Sequence, residues 1–196
     1  MNTSIATSYA TSATSVATSV RRAQPSDAAA LADLVNRAYA IEAPFIDGNR
    51  TSTAEIAELI HAGGFLVLEH SGGIGAAVWF QAPGVRAGLP AHTAYFGMLS
   101  VAPELQSQGL GRRLVQVAEA LAEASGATAI QIRVINLREE LMRWYKSLGY
   151  REVGTSPYTG RTDNRAPKRA CHFIDMAKPF VPAPVSFAER SVAAVI

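Results

Sequence analysis

A chain of 196 residues that is 48% apolar has enough material for one hydrophobic core. Its net charge of +2 is too small to argue for nucleic acid or an anionic membrane, and no apolar run approaches the ~20 residues of a membrane-spanning helix. The single Cys171 excludes an internal disulfide framework and suits a reducing, cytoplasmic compartment, while four His and one Cys show no zinc-ligand spacing, so no metal is expected.

Residues 1–19 hold four Ala-Thr-Ser triplets and no charge. Such a stretch lacks the apolar surface to offset its ordering entropy, so a disordered tail is expected there, with the folded domain over 20–178. Val20 to Ala23 reads as a first strand. Pro25-Ser26 opens a helix, with Ser26 as N-cap and an apolar stripe at Leu31, Leu34, Val35, Ala38 and Tyr39. After an irregular loop from Glu42 to Gly48, Ser52 and Glu55 form a capping box for a second helix through Ile56, Leu59 and Ile60. Phe65 to Glu69 and Ile74 to Phe80 are strands of a hairpin closed by His70-Ser71-Gly72-Gly73. Thr93 to Val101 is a central strand.

A helix with Leu110, Leu114, Val117, Ala118, Leu121 and Ala122 on one face follows and stops at Gly126. Ala129 to Val134 should run parallel to the preceding strand, because a helix carries the crossover between them. Leu137, Leu141, Tyr145 and Leu148 give the next helix its buried face, and Gly149 ends it. Two strands remain, near Arg151 to Thr155 and Cys171 to Lys178. The polar connection between them, Ser156 to Arg169, is long enough to suspect a functional loop. Residues 179–196, with Pro182 and Pro184, form a C-terminal extension.

The stretch from Leu99 to Leu114 carries the most chemistry. It reads as a strand, a turn through Pro103 with Gly109 and Gly111, and an amphipathic helix. The first amides of a helix have no partner inside it and carry partial positive charge, and glycines there let a phosphate approach closely. Arg112 and Arg113 in the first turn oppose the dipole, a penalty that makes sense if an anion sits on the turn. A mononucleotide P-loop would need a Lys in this turn, and a dinucleotide fingerprint would need a Gly at Leu114 with an acidic end to the next strand. That strand ends instead at Arg133 and leads to Asn136.

Gln106, Gly109 and Gly111 make a Gln-x-x-Gly-x-Gly pattern directly after Leu-Ser-Val-Ala-Pro. This resembles the acyl-CoA motif of the GNAT superfamily of N-acetyltransferases. A second block, Asn136 and then Leu141 to Tyr150 with its Tyr145 and Gly149, is similar to the family's next motif. The resemblance runs from about Val20 to Lys178 in order of elements. It implies an α/β (α+β) fold with a mixed, mostly antiparallel sheet of about six to seven strands, a parallel central pair and about four flanking helices. It also implies transfer of an acetyl group from acetyl-CoA to a primary amine by direct attack on the thioester.

In that reading the amides of Gln108, Gly109, Leu110, Gly111 and Arg112 hold the pyrophosphate, and Gln106 and Ser107 of the motif also bind the cofactor. The backbone of Leu99, Ser100 and Val101 pairs with the pantetheine arm and meets the oxyanion. Tyr145 is the general acid, or a plain core tyrosine, since it also belongs to the buried stripe. Asn136 holds the cofactor arm, or caps the following helix with Glu139. The central strand offers no carboxylate, so Glu42, or else Asp47, in the loop after the first helix is the candidate base; Tyr95 and His92 are further options. An α-amino group with a pKa near ~8 needs only water.

Glu42 and Asp47 would attract a cationic amine, whereas Arg161, Arg165, Lys168 and Arg169 would welcome a carboxylate or phosphate, or are simply a solvated loop. Three functions stay open: a small-molecule N-acetyltransferase, an enzyme acting on a protein N-terminus or lysine, and a non-catalytic acyl-CoA sensor. Family habit also implies a homodimer.

Overall fold

The computed structural model describes residues 18–62, 64–158 and 165–180. The expected tail lies outside the described residues up to 17, and so does the C-terminal extension from 181. Seven strands form one sheet: β1 (Thr18–Arg22), β2 (Phe65–His70), β3 (Gly73–Gln81), β4 (Thr93–Val101), β5 (Ala129–Ile135), β6 (Arg151–Pro157) and β7 (His172–Pro179). Their order is β1-β2-β3-β4-β5-β7-β6, antiparallel except for the β4–β5 pair. The helices are α1 (Ala28–Tyr39), α2 (Thr53–His61), α3 (Leu110–Ala124) and α4 (Glu139–Ser147). This is the mixed α/β architecture that the sequence implies.

Period-two alternation sends β2 side chains to two cores. Phe65 and Val67 pack with Leu31, Leu34, Ile56 and Leu59 of α1 and α2, whereas Leu66 and Leu68 pack with Leu114 and Ala118 of α3. Leu31, Leu34 and Leu114 are fully enclosed, so truncating any one to Ala costs about 2–5 kcal/mol. The hairpin between β2 and β3 turns through Ser71 (φ 50°) and Gly72 (φ 80°), the positive pair that a two-residue turn between twisted strands requires.

Several local expectations change. Strand β1 begins at Thr18, two residues inside the presumed tail, and Arg113 of α3 holds the Thr18 hydroxyl and carbonyl. Ser26 does not cap the first helix. A 3₁₀ turn, Pro25–Asp27, comes first, and the Asp27 carboxylate takes the Gln24 amide at 2.7 Å while pairing with Arg21. The longer Asp side chain reaches back where Ser26 would not. Ser52 caps α2 through the Glu55 amide at 3.2 Å, but the Glu55 carboxylate turns to the Thr51 hydroxyl instead of closing the box. Asn136 does not cap α4 either. Its Oδ1 accepts the His172 amide at 3.0 Å, and its own amide donates to the His172 carbonyl, stitching the end of β5 to β7. Leu137 precedes α4 and packs beside Phe45, Ile46 and Ile135.

Candidate active site

Strands β4 and β5 pair only through Thr93–Tyr95 with Ala129–Gln131, and then diverge. Beyond Tyr95 the β5-facing edge of β4 therefore keeps N–H and C=O groups without a strand partner, and the gap opens into a cleft of about 600 Å³. A bulge sharpens the opening. Trp79 faces Gly97 and Ala77 faces Ser100, so Met98 and Leu99 share one position opposite Val78, with Met98 at φ +50°. The extra residue inverts the alternation: Ala94 and Phe96 pack toward α3, and so do Leu99 and Val101, while Tyr95 and Met98 both pack toward α1 and α2.

The far end of the cleft is the turn into α3. Gly109 is the N-cap, at φ +82°, and no side chain caps the helix, so the first amides of a four-turn helix stand open to the cleft. Ser107 is also left-handed (φ +62°), and the Gln106 amide group donates to the Val101 carbonyl at 3.4 Å, tying the turn to the end of β4. A Cβ on Gly111 would stand 3.5 Å from Val101 and 3.9 Å from Trp144 of α4, in the space between the cleft's two walls. Exposed Arg112 lines the cleft. Arg113 does not; it belongs to the clamp on β1. Open helical amides with a cation beside them fit a pyrophosphate.

Tyr145 lines the middle of the cleft while only 4% exposed. Its ring is wedged edge-on against Trp144 (4.8 Å) and Tyr150 (5.5 Å). Its hydroxyl has no hydrogen-bond partner among the described residues. Burial pushes the phenol well above its ordinary pKa, so it stays protonated at neutral pH. The core reading and the acid reading of this residue are thus compatible: the ring is packed and the hydroxyl faces the cleft.

A second pocket of about 150 Å³ adjoins the cleft and shares with it Tyr39, Gly97, Met98, Arg133, Val134 and Leu141. Glu42 is its one lining carboxylate among the described residues, 5% exposed, and it accepts from Arg165 Nη2 at 2.9 Å with Arg138 Nη1 at 3.6 Å. Burial raises the Glu42 pKa, and the guanidiniums of Arg165, Arg138 and Arg50 pull it back only in part. Arg50, Arg86, Arg133 and Arg165 also line this pocket. Arg86 stacks 3.9 Å over the Tyr95 ring, and Gly97 leaves the room that ring needs, since a Cβ there would stand 3.1 Å from the Tyr95 hydroxyl.

Of the residues singled out in the sequence, Leu99, Val101, Gln106, Ser107, Gly109, Leu110, Gly111, Arg112 and Tyr145 line the cleft. Ser100 is buried with its hydroxyl on the Met98 carbonyl, Gln108 reaches the Glu104 carbonyl, and Asn136 is engaged with β7. Glu42 lines the second pocket, whereas Asp47 turns out to Lys168 at 3.0 Å. Arg165 is 6% exposed instead of solvated, and Arg161 lies outside the described residues. Neither pocket is lined by His92; Tyr95 lines the second. The sequence reading missed Arg50, Arg86, Arg133 and Arg138. Arg133 was visible as a charge within an apolar strand, but nothing local marks the others. Among the described residues no group of three or more His, Cys, Asp or Glu is placed to hold a metal, and no helix is long and apolar enough to cross a membrane.

Comparison with known proteins agrees with this geometry. No curated protein sequence matches the chain. Among solved structures it is similar to yncA of Salmonella typhimurium, determined with acetyl-CoA (TM-score 0.65, 21% identity, covering 87% of this chain and 98% of that one). It is equally similar to the ribosomal-protein-S18-alanine N-acetyltransferase of Escherichia coli (0.65, 22%, 87% and 100%). A protein provisionally named a phosphinothricin N-acetyltransferase gives 0.64 at 18% identity, covering 83% and 98%. These likenesses show the fold. The family model described as acetyltransferase (GNAT) family matches residues 29–150, well over half the chain and spanning the cleft from Tyr39 to Tyr145. The chain belongs to the GNAT acetyltransferase family, whose acetyl donor is acetyl-CoA.

Proposed function

We propose that the protein moves the acetyl group of acetyl-CoA to a primary amine of a small molecule. The observation that carries this reading is the junction of the two pockets: a cleft with open helical amides at one end and the unpartnered Tyr145 hydroxyl along its wall meets a second, smaller pocket at Gly97 and Met98. The neighbours' names divide between a ribosomal protein and a small acceptor, so they do not choose. A 150 Å³ pocket is well below the ~300 Å³ at which drug-sized ligand sites begin, and it suits a small acceptor.

In this mechanism the turn from Gln108 to Arg112 holds the pyrophosphate, and the unpaired edge of β4 from Gly97 to Val101 aligns the pantetheine arm. Glu42 takes a proton from the incoming ammonium, directly or through water; its raised pKa suits it to that task better than an exposed carboxylate. The amine nitrogen attacks the thioester carbon. A C–N bond forms, and the carbonyl oxygen becomes an oxyanion facing backbone N–H groups at the β4 bulge. The C–S bond then breaks, and Tyr145 protonates the departing thiolate. Of the two protons the ammonium sheds, one restores the Tyr145 phenol, whose own proton is now on the CoA thiol, and one leaves to solvent by way of Glu42.

The test is CoA release from acetyl-CoA across a broad amine panel, with mass detection of products. Acetylated small amines support the reading. Acetylation of peptides or proteins alone overturns the small-molecule assignment. Clear acetyl-CoA binding without turnover of any acceptor overturns the enzyme reading in favour of a sensor.

A further inference from the structure

The second pocket is more basic than an amine-binding site needs to be. Four guanidiniums line it, those of Arg50, Arg86, Arg133 and Arg165, against one lining carboxylate among the described residues: Glu42 pairs with Arg165, and outside the lining Asp175 accepts from Arg133 Nε at 2.9 Å. The Asp175 bond uses Nε alone. Both Nη groups of Arg133 have no hydrogen-bond partner among the described residues, and Arg133 lies where the two pockets meet. Arg50 has no carboxylate within 4 Å among the described residues; its guanidinium sits 5.3 Å from the Tyr39 ring centroid. Arg50, Arg86 and Arg133 are all close enough to the Tyr95 hydroxyl to oppose the effect of its burial, so they converge on one part of the pocket.

Partly buried guanidinium N–H groups that find no acceptor are costly, and a ligand that supplies an anion to those of Arg50 and Arg133 recovers that cost. Resting on the acetyltransferase reading above, we infer that the acceptor is a zwitterion, a free amino acid or close analogue, whose carboxylate is held by Arg50 and Arg133 while its amine faces Glu42 and the thioester. A planar guanidinium fork matches a carboxylate, and the two unengaged Nη groups of Arg133 present that geometry. The inference separates a free amino acid from a peptide, because a peptide N-terminus carries no α-carboxylate beside its amine. It also separates it from a diamine, whose second cation the arginines repel.

The experiment is a steady-state comparison of free L-amino acids, the matching carboxamides, 1-aminoalkylphosphonates and linear diamines, on the full chain and on Arg50→Gln and Arg133→Gln. Free acids should be acetylated with kcat/KM about 10- to 100-fold above their carboxamides, the size of a charge-assisted contact. Arg50→Gln should raise KM for the acid, leave kcat and acetyl-CoA affinity in place and shrink the acid-to-amide ratio toward one. Arg133→Gln should shrink the same ratio, and unchanged acetyl-CoA affinity shows that either variant is folded. Turnover of phosphonates in preference to carboxylates supports the oxyanion site and names a tetrahedral anion as its occupant. Equal turnover of acids and amides, or turnover of diamines or peptides alone, overturns the inference and leaves the enzyme standing. Bound acetyl-CoA with no acetylated product from any acceptor sinks the parent reading together with this one.

Discussion

The cleft and the second pocket, proposed to hold donor and acceptor, lie side by side, yet they are built by opposite means. The cleft end proposed for the phosphates is made of backbone: open amides of one turn, from Gln108 to Arg112, supplied by one contiguous stretch. The acceptor pocket is made of side chains drawn from Tyr39 on α1, Glu42 and Arg50 in the following loop, Tyr95 on β4, Arg133 on β5 and Arg165 before β7. A backbone site leaves its signature as glycine spacing, because only the absence of side chains admits the ligand. A side-chain site assembled across 126 positions leaves no spacing at all. Family membership therefore fixes the donor, while the acceptor proposed above rests on this chain's own arginines.

The comparison can be broken most severely at Tyr145, to which the proposed mechanism gives the chemistry between the two regions. Tyr145→Phe should lower kcat about 10²- to 10⁴-fold while acetyl-CoA affinity stays nearly constant, since the ring remains packed against Trp144 and Tyr150. Unchanged kcat in stopped-flow or steady-state assays removes the hydroxyl from the mechanism. Next in size, Gly109→Glu puts a carboxylate beside the pyrophosphate position and strains a φ of +82°. Calorimetric titration should show acetyl-CoA affinity falling by roughly a hundredfold. Retained affinity would mean that the turn does not hold the donor.

Glu42→Gln touches only the acceptor side. It keeps the volume and an oxygen for Arg165, so a loss of about tenfold in kcat/KM near neutral pH is expected. Burial sets the pH dependence. Glu42 must be ionised to take a proton, so activity falls as pH falls through a pKa above the ordinary 4.5, and Gln should abolish that acidic limb. For stability the sign reverses. The raised pKa contributes stability that is fully present below 4.5 and is lost as pH rises through the folded-state value. A pH–rate profile with the limb intact in Glu42→Gln assigns the base elsewhere. The smallest effect separates two adjacent arginines. Arg112→Ala should weaken acetyl-CoA binding about two- to fivefold, as for an exposed charge contact, while Arg113→Ala should leave binding alone and lower the melting temperature by loosening β1.

Periodicity in the sequence placed all seven strands and four helices nearly where they lie, because each buries a face that repeats every two or 3.6 residues. The parallel β4–β5 pair followed from the crossover helix, and the donor turn from Gly109 and Gly111 after a strand. These are local facts: near neighbours in the chain settle them. Caps were less legible, since Asp27 reached past Ser26 and Asn136 found β7 instead of α4, each choice depending on a partner outside the local window. The bulge at Met98 and Leu99 has no residue signal, because it is imposed by the register of β3 against β4.

What only the tertiary structure decided is where charges meet. Glu42 and Arg165 stand 123 residues apart in the chain and 2.9 Å apart in space. Arg133, an oddity in its strand, became intelligible once β4 and β5 were seen to part beside it. Backbone chemistry is written in the order of residues, but electrostatics depends on distance through space, and for distant residues distance is set only when the chain has folded.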